Sequence, residues 1–352
     1  FKDSAPAELV DCVGHDDLMV LMFTSGTTGR SKAVMLSERN FFTTVECQVK
    51  FGDAMLDYKH EHMPEDKNDV LSNFAILPLF HLGTFICLFV WACKGWALNL
   101  SADIRDFYRD LGLMHSDAIA VAPMLMEAIY KDVKRGRRAR LNGVWNPCGS
   151  SAMFDGAMLA ELAQQGMMIT QVYGMTETCG DGIINYEQDE KHIRAVGKPD
   201  DHAEYKLDET GEICIRGGCV MLGYYKDPEA TAEVLDADGW FHTGDLARVD
   251  EDGFYYITGR KKNIIILDNG ENVSPEELEN LLSKCEAVKE CIVREKGKKI
   301  CAVIYCGEAD QQIVRDFITE TNRTLPLYKR MSAVEFSTEP LPRTGTGKLL
   351  RK

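Results

Sequence analysis

Apolar residues along the chain form short continuous runs that alternate with stripes at helical spacing. Leu18–Phe23 (LMVLMF) is an unbroken apolar run, and the helical pattern at Met153–Gln165 precedes a strand-like run at Met167–Tyr173. A continuous apolar run is typical of a strand that is buried on both faces of a sheet. Alternating strands and helices predict a layered α/β fold, which we assign to residues 1–202.

Between residues 203 and 261 the pattern changes to short strands separated by turn signals. Glu-Thr-Gly and Asp-Gly pieces punctuate the segments EYKLDETGEICIRG, DADGWFHTG and DEDGFYYITG. Glycine after a short polar residue favours a turn, because glycine tolerates the backbone angles that tight turns need. We predict a small β-barrel subdomain here, which completes a large domain of residues 1–261.

A compact α+β pattern extends from residue 262 to residue 352. Ser274–Glu277 (SPEE) combines an N-cap serine, a first-turn proline and a capping-box glutamate, which together predict a helix start. Val288–Val293 and Ile300–Tyr305 flank a turn-like Lys-Gly-Lys-Lys and predict a hairpin. Ile313–Ile318 has the apolar spacing of another helix.

Phe74–Cys93 is an apolar segment about long enough to span a bilayer. Pro78, His81 and Gly83 interrupt it, and basic residues flank only one of its ends. We therefore predict a buried strand, turn and helix in place of a transmembrane segment. A peripheral contact with a membrane stays open.

The chain is strongly acidic, with 55 acidic and 40 basic residues and a formal net charge of -15. Such a surface repels phosphate backbones, which argues against nucleic acid as a partner. The one dense basic run, Lys131–Arg140 (KDVKRGRRAR), is most simply a solvated loop. Binding of this run to nucleic acid or to an anionic membrane is the alternative.

The 12 cysteines are scattered along the chain. Cys87, Cys93, Cys214 and Cys301 lie in apolar runs, and we predict that they are small core residues. Because no C-x-x-C pair occurs, the sequence supports neither a zinc site nor a redox motif. Scattered thiols and the lack of a signal-peptide pattern favour the reducing cytoplasm.

The segment Thr24–Lys32 (TSGTTGRSK) directly follows the first apolar run. Its glycines let the backbone approach an oxyanion closely, while its hydroxyl and amide groups donate hydrogen bonds to phosphate. Lys32 adds a positive charge, although the spacing differs from that of the Walker loop. We predict a phosphate-binding loop, with a flexible linker as the alternative. Its binding residues would be Thr24, Ser25, Gly26, Thr27, Thr28 and Gly29.

Four further motifs follow in order: Tyr173–Thr178 (YGMTET), His242–Asp245 (HTGD), Gly259–Asn263 (GRKKN) and Pro342–Lys348 (PRTGTGK). Together with TSGTTGRSK, they resemble the signature series of the adenylate-forming superfamily, which includes acyl-CoA synthetases, luciferases and nonribosomal adenylation domains. The resemblance runs from about Leu18 to the last residue. It is nearest to bacterial long-chain fatty acyl-CoA synthetases, whose large domain is followed by a small α+β lid domain.

The resemblance implies an ATP-dependent acid–CoA ligase that uses Mg²⁺ as its metal and CoA as its second substrate. Such an enzyme converts a carboxylic acid, here expected to be a fatty acid, into acyl-AMP and pyrophosphate, and CoA then displaces AMP. Two alternatives stay open: an acyl-AMP ligase that loads a carrier protein, and an inactive nucleotide-binding fragment. Family members have a longer region before the phosphate loop, so we expect the N-terminal part of the large domain to be missing here.

Residue by residue, the resemblance implies roles in nucleotide binding. Glu177 would hold Mg²⁺ against the ATP phosphates, and Thr176 and Lys32 would act beside it in catalysis. Asp245 with Arg260 would bind the ribose hydroxyls. Adenine would be bound by Gly149, Ser150, Ser151, Tyr173 and Gly174. The alternatives are an ordinary surface acid at Glu177, a core aromatic residue at Tyr173 and a turn cap at Asp245.

Four more residues are implied in catalysis, acid binding and domain movement. Lys348 would stabilise charge on the α-phosphate and the attacking carboxylate, with a frayed basic tail as the alternative. His81 would precede the acyl pocket, with a hydrogen-bonded core histidine as the alternative. Lys262 would be the hinge between the domains or else a solvated linker lysine, and Gly270 would line the tunnel for the pantetheine arm of CoA.

Overall fold

The structure is a computed structural model of the chain. It describes residues 14–24, 31–101, 103–150, 154–180, 182–267, 271–343 and 349–351, with the backbone alone at Ser150. The strands are β1 (Leu18–Thr24), β2 (Lys32–Ser37), β3 (Ser72–Ala75), β4 (Ala97–Leu100), β5 (Ala118–Val121), β6 (Asn146–Ser150), β7 (Thr170–Gly174), β8 (Gly182–Asn185), β9 (Ala203–Leu207), β10 (Glu212–Gly217), β11 (Gly223–Tyr224), β12 (Phe241–Val249), β13 (Tyr255–Arg260), β14 (Ile265–Ile266), β15 (Asn272–Val273), β16 (Glu290–Lys296), β17 (Lys299–Tyr305) and β18 (Ala333–Ser337). The α-helices are α1 (Glu38–His62), α2 (Leu82–Lys94), α3 (Phe107–Leu113), α4 (Pro123–Lys134), α5 (Gly156–Gln164), α6 (Pro228–Ala232), α7 (Pro275–Leu282) and α8 (Gln311–Thr324).

A six-stranded sheet in the order β4-β3-β5-β6-β7-β8 forms the centre of the α/β part. Adjacent strands within this sheet run parallel, except that β7 and β8 are antiparallel. Parallel neighbours need crossover connections, and α2, α3, α4 and α5 supply them in turn. One apolar core contains Phe41 of α1 and Ile86 of α2, and another contains Met126 of α4 and Leu159 of α5. The predicted α/β layering is confirmed.

β1 and β2 form an antiparallel hairpin, and β2 also pairs with β11. The strand predicted at Leu18–Phe23 is confirmed, but its predicted burial on both faces is wrong. Leu18 and Met19 are each 45% exposed, and Phe23 is 70% exposed. Among the described residues β1 is an edge strand, and a continuous apolar run does not reveal whether a strand has one neighbour or two.

The segment with short strands and turn signals forms an antiparallel sheet in the order β13-β12-β10-β9. Gly211 and Gly253 have φ angles of +83° and +85° in its predicted turns, and these angles strain a residue that carries a Cβ. Ile213 and Ile215 of β10 pack in one apolar core with Tyr173 of β7. The antiparallel sheet therefore rests on the end of the parallel one.

The C-terminal α+β part contains the sheet β16-β17-β18 and the helices α7 and α8. The predicted hairpin and both predicted helices are confirmed, and Leu278 and Leu282 of α7 lie in an apolar core of this part. α7 begins after Ser274 as predicted, but the predicted capping box is wrong because the Ser274 side chain accepts no cap hydrogen bond. Its hydroxyl instead donates to the Thr258 carbonyl oxygen at 2.7 Å, which ties the helix start to β13.

Phe74–Cys93 contains the end of β3, a turn and α2, as predicted. No helix of the described part of the chain combines the length and apolar character that crossing a membrane requires. Cys214 and Cys301 are buried as predicted and Cys87 is half-buried, but the core position predicted for Cys93 is wrong, since this residue near the end of α2 is exposed. Cys87, Cys93, Cys214 and Cys301 are free thiols.

Lys131–Arg140 is not the solvated loop that its composition predicts, because it begins inside α4 and continues into a short 3₁₀-helix. The guanidinium groups of Arg137 and Arg140 lie 3.0 and 3.2 Å from Oδ1 of the buried Asp132. Arg140 also stacks on the ring of Tyr108 at 3.9 Å. Both arginines pair with a buried carboxylate of the same chain, which further weakens the alternative of nucleic-acid binding.

His192 connects the loop after β8 to the turn between β12 and β13. Its Nδ1 lies 2.9 Å from Oδ2 of Asp189, and its Nε2 lies 3.1 Å from Oδ2 of Asp252 and 3.9 Å from Asp250. The imidazole stacks on the ring of Phe254 with 3.9 Å between centroids. Hydrogen bonds to Asp189 and then to Asp252 raise the pKa of His192 above its ordinary value of 6.5, because the carboxylates favour the imidazolium.

Replacing His192 with Gln should lower the melting temperature in a pH-dependent way. Since the folded-state pKa lies above 6.5, the stabilisation is complete below pH 6.5 and is lost as the pH rises through the folded-state pKa. We expect the variant to melt below the parent protein near pH ~6 and the difference to close towards pH ~9. Thermal unfolding across this range checks the expectation. The control is His60→Gln, which removes an exposed histidine paired with Asp69, and a pH-independent difference for His192→Gln would contradict the ionic connection.

Candidate active site

The carboxyl ends of β6 and β7 bring the predicted adenine residues together. β6 ends at Ser150 and pairs in parallel with β7, which ends at Gly174 directly after Tyr173. Ligands of α/β proteins bind in the crevice outside the carboxyl ends of parallel strands, so the position suits a nucleotide. A Cβ added at Gly149 would lie 2.4 Å from the ring of Phe154, and this close approach requires glycine.

The two ends of the predicted phosphate loop meet across the β1–β2 hairpin. Thr24 is the register partner of Lys32, the first residue of β2. The predicted loop therefore connects two paired strands rather than two separate units. Ser25, Gly26, Thr27, Thr28 and Gly29 lie outside the described residues, as does Ser151.

Glu177 and Lys32 are linked through one aromatic ring. β7 leads into a short 3₁₀-helix that carries Thr176 and Glu177. The hydroxyl of Tyr224 donates a 2.9 Å hydrogen bond to Oε1 of Glu177, and the Lys32 ammonium lies 4.4 Å from the centroid of the Tyr224 ring. Burial, and then the neighbouring Glu177 carboxylate, raise the pKa of Tyr224, so its hydroxyl remains a donor.

Strand β11 explains why Tyr224 occupies this place. Gly223 and Tyr224 pair with β2, and the amide of Met221 donates to the carbonyl oxygen of Glu177 at 2.9 Å. Backbone pairing therefore positions the ring against both Lys32 and Glu177. Sequence reasoning missed Tyr224, because an uncharged tyrosine in GYYKDPE does not by itself indicate a binding or catalytic role. Its only signal is a glycine and an aromatic pair before a helix start.

Asp245 is a buried carboxylate held by an aromatic hydroxyl and a guanidinium. Tyr173 donates to Oδ2 at 3.1 Å, and Nε of Arg260 lies 2.8 Å from Oδ1. The side chain of Asp245 is 5% exposed and that of Arg260 is 45% exposed. Burial, and then the Asp245 charge, raise the pKa of Tyr173 well above its ordinary value. Residues predicted to bind adenine and ribose are thus in contact, and Tyr173 has a polar partner as well as an apolar environment.

The strand position of Asp245 corrects the expectation that it lies in a turn. Asp245 is inside β12 and is the register partner of Arg260 in β13. Gly244 has a φ of +72°, and its amide donates to Oε1 of Glu212 at 2.7 Å. The Thr-Gly-Asp sequence therefore forms an irregularity within a strand, at a point where the register between β10 and β12 shifts.

Glu212 connects this irregularity to the next motif. It is 3% exposed, and its Oε2 accepts a 2.6 Å hydrogen bond from Nζ of Lys261, which also lies 3.6 Å from Asp208. The hydrogen bond to Glu212 raises the pKa of Lys261. Sequence reasoning missed Glu212, whose only signal is its position as the first residue of a strand after a Thr-Gly turn.

An open pocket of about 350 Å³ lies between these motifs. Its lining residues come from the middle of the HTGD motif and from GRKKN. They are Thr243, Gly244, Arg260, Lys261 and Lys262. Lys262, the predicted hinge, thus faces the same space as the Arg260 that contacts Asp245, and it follows the anchored Lys261 in a short 3₁₀-helix.

Lys348 lies outside the described residues, but the chain on both sides of it is anchored. Arg343 and Leu349 form an antiparallel bridge. Arg351 then makes hydrogen bonds of 2.5 and 2.6 Å with the two carboxylate oxygens of Glu279. The described residues that flank Lys348 are therefore not a frayed tail.

The two remaining predicted residues have different outcomes. Gly270 lies outside the described residues, between the paired strands β14 and β15. His81 is exposed and precedes α2, next to Phe80, which is 81% exposed. The alternative of a buried core histidine at position 81 is therefore wrong, and its role in an acyl pocket stays a prediction.

Comparisons with known proteins show the family of the chain. The AMP-binding enzyme family model matches residues 2–225, and the model of the AMP-binding enzyme C-terminal domain matches residues 277–348. The long-chain-fatty-acid–CoA ligase of Salmonella typhimurium is 30% identical over 96% of this chain and 61% of its own length. A feruloyl-CoA synthase of an Amycolatopsis species is 31% identical over 99% of this chain and 71% of its own length.

A solved structure shows the same fold. The o-succinylbenzoate CoA synthetase of Bacillus subtilis, in complex with its acyl-adenylate intermediate, matches with a TM-score of 0.79 and 25% identity over 99% of this chain and 72% of that one. This chain spans only 61% of the length of the fatty-acid ligase. The family model nevertheless covers most of the present sequence. The chain belongs to the AMP-binding enzyme family.

Proposed function

We propose that this chain is the ATP-, Mg²⁺- and CoA-using part of an acid–CoA ligase. In the first half-reaction an oxygen of the substrate carboxylate attacks the α-phosphorus of ATP, and pyrophosphate leaves to give acyl-AMP. In the second, the CoA sulfur loses its proton and attacks the acyl carbon, and AMP leaves. The observation that carries the proposal is the arrangement around the end of β7, where Tyr173 holds Asp245 and where Glu177 is linked to Lys32.

Asp245 provides the acceptor for the ribose hydroxyls in this proposal. The Tyr173 hydroxyl and the Arg260 guanidinium orient the Asp245 carboxylate, and an ionised carboxylate is an acceptor for hydroxyl donors such as those of ribose. Its burial strengthens each of these bonds, because charge-assisted hydrogen bonds gain from water exclusion. The neighbouring pocket of about 350 Å³ leaves room for a nucleoside beside this carboxylate.

The oxygen donors at Glu177 fit a hard divalent cation. Glu177 is half-buried, and the Tyr224 hydroxyl orients its carboxylate by a hydrogen bond to Oε1. Thr176 precedes it and supplies a hydroxyl oxygen, and such oxygens are the ligands that Mg²⁺ prefers. When bound there, Mg²⁺ would neutralise phosphate charge and favour the departure of pyrophosphate.

The two lysines have complementary electrostatic tasks. Lys32 is held over the ring of Tyr224, whose hydroxyl binds Glu177, and would stabilise the phosphate that becomes pyrophosphate. Lys348 would stabilise charge on the α-phosphate and the attacking carboxylate. Neither task needs proton transfer, because the carboxylate nucleophile is already ionised at neutral pH.

We propose a fatty acid as the substrate, with an aromatic acid as the second class to test. The similarity to the long-chain-fatty-acid ligase supports a fatty acid as the substrate. The comparable similarity to the feruloyl-CoA synthase is the reason to test an aromatic acid as well. We also propose that residues 1–261 and 262–352 move as two domains about Lys262, which the anchored Lys261 supports. The free thiols support a cytoplasmic location.

Lys348→Ala should reduce acyl-AMP formation by at least ~100-fold and leave thioester formation from supplied acyl-AMP within ~3-fold. The reason is that its charge is needed only while the α-phosphate is attacked. ATP–pyrophosphate exchange with a panel of acids measures the first step, and release of AMP from acyl-AMP and CoA measures the second. Lys298→Ala in the β16–β17 turn is the control.

Equal losses of both steps in Lys348→Ala would remove Lys348 from the adenylation step. Failure of the parent protein to exchange pyrophosphate with any acid would overturn the ligase proposal in favour of an inactive nucleotide-binding fragment. Transfer to a carrier protein's pantetheine thiol but not to CoA would instead favour an acyl-AMP ligase.

Tyr224→Phe should raise the Mg²⁺ concentration needed for half-maximal acyl-AMP formation by about tenfold, in line with the ~1.5 kcal/mol of a hydrogen bond to a charged group. This variant keeps the ring beneath Lys32 but removes the donor to Glu177. Tyr224→Leu removes both and should also lower kcat. Tyr225→Phe, at the adjacent 43%-exposed tyrosine, is the matched control. An unchanged Mg²⁺ dependence in Tyr224→Phe would show that the hydroxyl does not position the metal ligand.

Lys262→Pro should retain acyl-AMP formation and slow thioester formation at least ~10-fold, or about 1.4 kcal/mol on the barrier. Proline fixes φ and restricts the preceding residue, so the linker should lose the freedom to switch between two domain poses. Lys262→Ala is the matched control, because it removes the same side chain and leaves the backbone free. Both half-reactions near parent rates in Lys262→Pro would place the hinge elsewhere.

A further inference from the structure

Three side chains with metal-binding atoms, from distant parts of the sequence, meet beside α1. Cys47 lies within α1, while Asp200 and His202 lie in the segment that leads into β9. The Cys47 sulfur, a carboxylate oxygen of Asp200 and a ring nitrogen of His202 all lie within 4.8 Å of one another. Thiolate sulfur, imidazole nitrogen and carboxylate oxygen are the three ligand types that Zn²⁺ takes in proteins.

The cluster is built into the fold rather than spread over its surface. Cys47 is 5% exposed and the His202 side chain is 6% exposed, whereas the Asp200 side chain is 35% exposed. Sγ of Cys47 lies 3.4 Å from Oδ2 of Asp200, and the His202 ring contacts Oδ1 of the same carboxylate through Nδ1. The backbone amide of His202 donates to Oδ1 at 3.0 Å, which orients the carboxylate. The exposed side of Asp200 leaves one direction open to a water ligand.

A tyrosine lies beside the ring nitrogen of His202 that does not face Asp200. The Tyr205 hydroxyl donates its hydrogen to the Gly182 carbonyl oxygen at 2.8 Å, so it offers only lone pairs to Nε2 of His202, 3.3 Å away. When Nδ1 gives its lone pair to a metal ion, the ring proton lies on Nε2, where the Tyr205 oxygen can accept it. A second partner that fixes the non-ligating nitrogen is the usual outer shell of a metal-bound histidine.

We propose that Cys47, Asp200 and His202 form a binding site for a Zn²⁺-class divalent cation. On binding, the Cys47 thiol releases its proton to solvent and its sulfur forms the metal bond, while Asp200 and Nδ1 of His202 supply lone pairs and water completes the coordination. No electron is transferred. The bound ion joins α1 to the segment before β9, and so joins the α/β part to the antiparallel sheet.

Lys50 competes with the cation at this site. Its ammonium lies 3.8 Å from Oδ2 of Asp200 and 2.7 Å from Oδ1 of Asp201, so it lowers the negative potential that attracts a metal ion. Lys50→Met removes this charge without removing a ligand. It should therefore strengthen Zn²⁺ binding several-fold, which a merely structural role of the cluster would not produce.

Two other groups of the described residues bring together three such side chains and serve as controls. In the group Asp208, Cys214 and His242, the Lys261 ammonium already lies 3.6 Å from Asp208. In the group His192, Asp250 and Asp252, both ring nitrogens of His192 have carboxylate partners, and no sulfur is present. His242→Gln and His192→Gln should therefore leave the binding proposed at Cys47 unchanged.

The test is a Co²⁺ titration of the chelator-treated full chain without ATP, followed by displacement with Zn²⁺. The parent protein should bind one Co²⁺ with a thiolate-to-cobalt charge-transfer band that Zn²⁺ abolishes. Cys47→Ser should lose the band, and Cys93→Ser, at an exposed thiol, should keep it. Tyr205→Phe should weaken binding by ~10-fold or more, as removal of an outer-shell partner does. Melting of each metal-free variant verifies folding, and Zn²⁺ should raise the melting temperature of the parent but not of Cys47→Ser.

The absence of a charge-transfer band in the parent, or its survival in Cys47→Ser, would overturn the proposal and leave a hydrogen-bonded Cys–Asp–His cluster only. Equal Co²⁺ affinity in the parent and Lys50→Met would also count against the site, because that variant keeps all three ligands. None of these readouts depends on ligase activity, so the result stands apart from the proposed function.

Discussion

The buried carboxylate of Asp245 is the constraint on which the site depends. Desolvating a carboxylate costs several kcal/mol, and the fold offsets that cost with the Tyr173 hydroxyl and the Arg260 guanidinium. These partners come from β7 of the parallel sheet and from β13 of the antiparallel sheet. The carboxylate therefore has both hydrogen-bond partners only after the two sheets have assembled. The contacts that join the sheets also order the residues that would hold the nucleoside.

A single side chain, that of Tyr224, likewise links two charged residues at the phosphate end of the site. Tyr224 belongs to neither a glycine-rich loop nor an acidic motif, yet its hydroxyl and its ring face contact Glu177 and Lys32. The same side chain thus contacts a positive charge with its ring and a negative charge with its hydroxyl. A lysine engaged with an aromatic face and a carboxylate oriented through one oxygen are both available to a phosphate and its cation.

The sequence predicted the α/β layering, the β-rich segment, the C-terminal helices and hairpin, and the residues that meet at β7. These features could be predicted because glycine spacing, turn chemistry and apolar periodicity are local signals. It could not predict contacts that depend on packing. Leu18–Phe23 was expected to be buried, but its exposure depends on how many strands adjoin β1. Asp245 has turn-like neighbours and yet lies in a strand, since Glu212 from another strand accepts the Gly244 amide. Cys47 and His202 are too far apart in sequence for any spacing rule to connect them.

The edge position of β1 also bears on how the chain behaves at high concentration. Its seven residues, LMVLMFT, include no charge and no proline, and Leu18, Met19 and Phe23 are exposed on it. Proteins usually protect such an edge with lysine, proline, a bulge or a covering element, and β1 has an irregularity only near its start, between Leu18 and Val20. Within the described part of the chain, most of the outer edge of this strand is therefore unpaired, so a further strand can extend the sheet there.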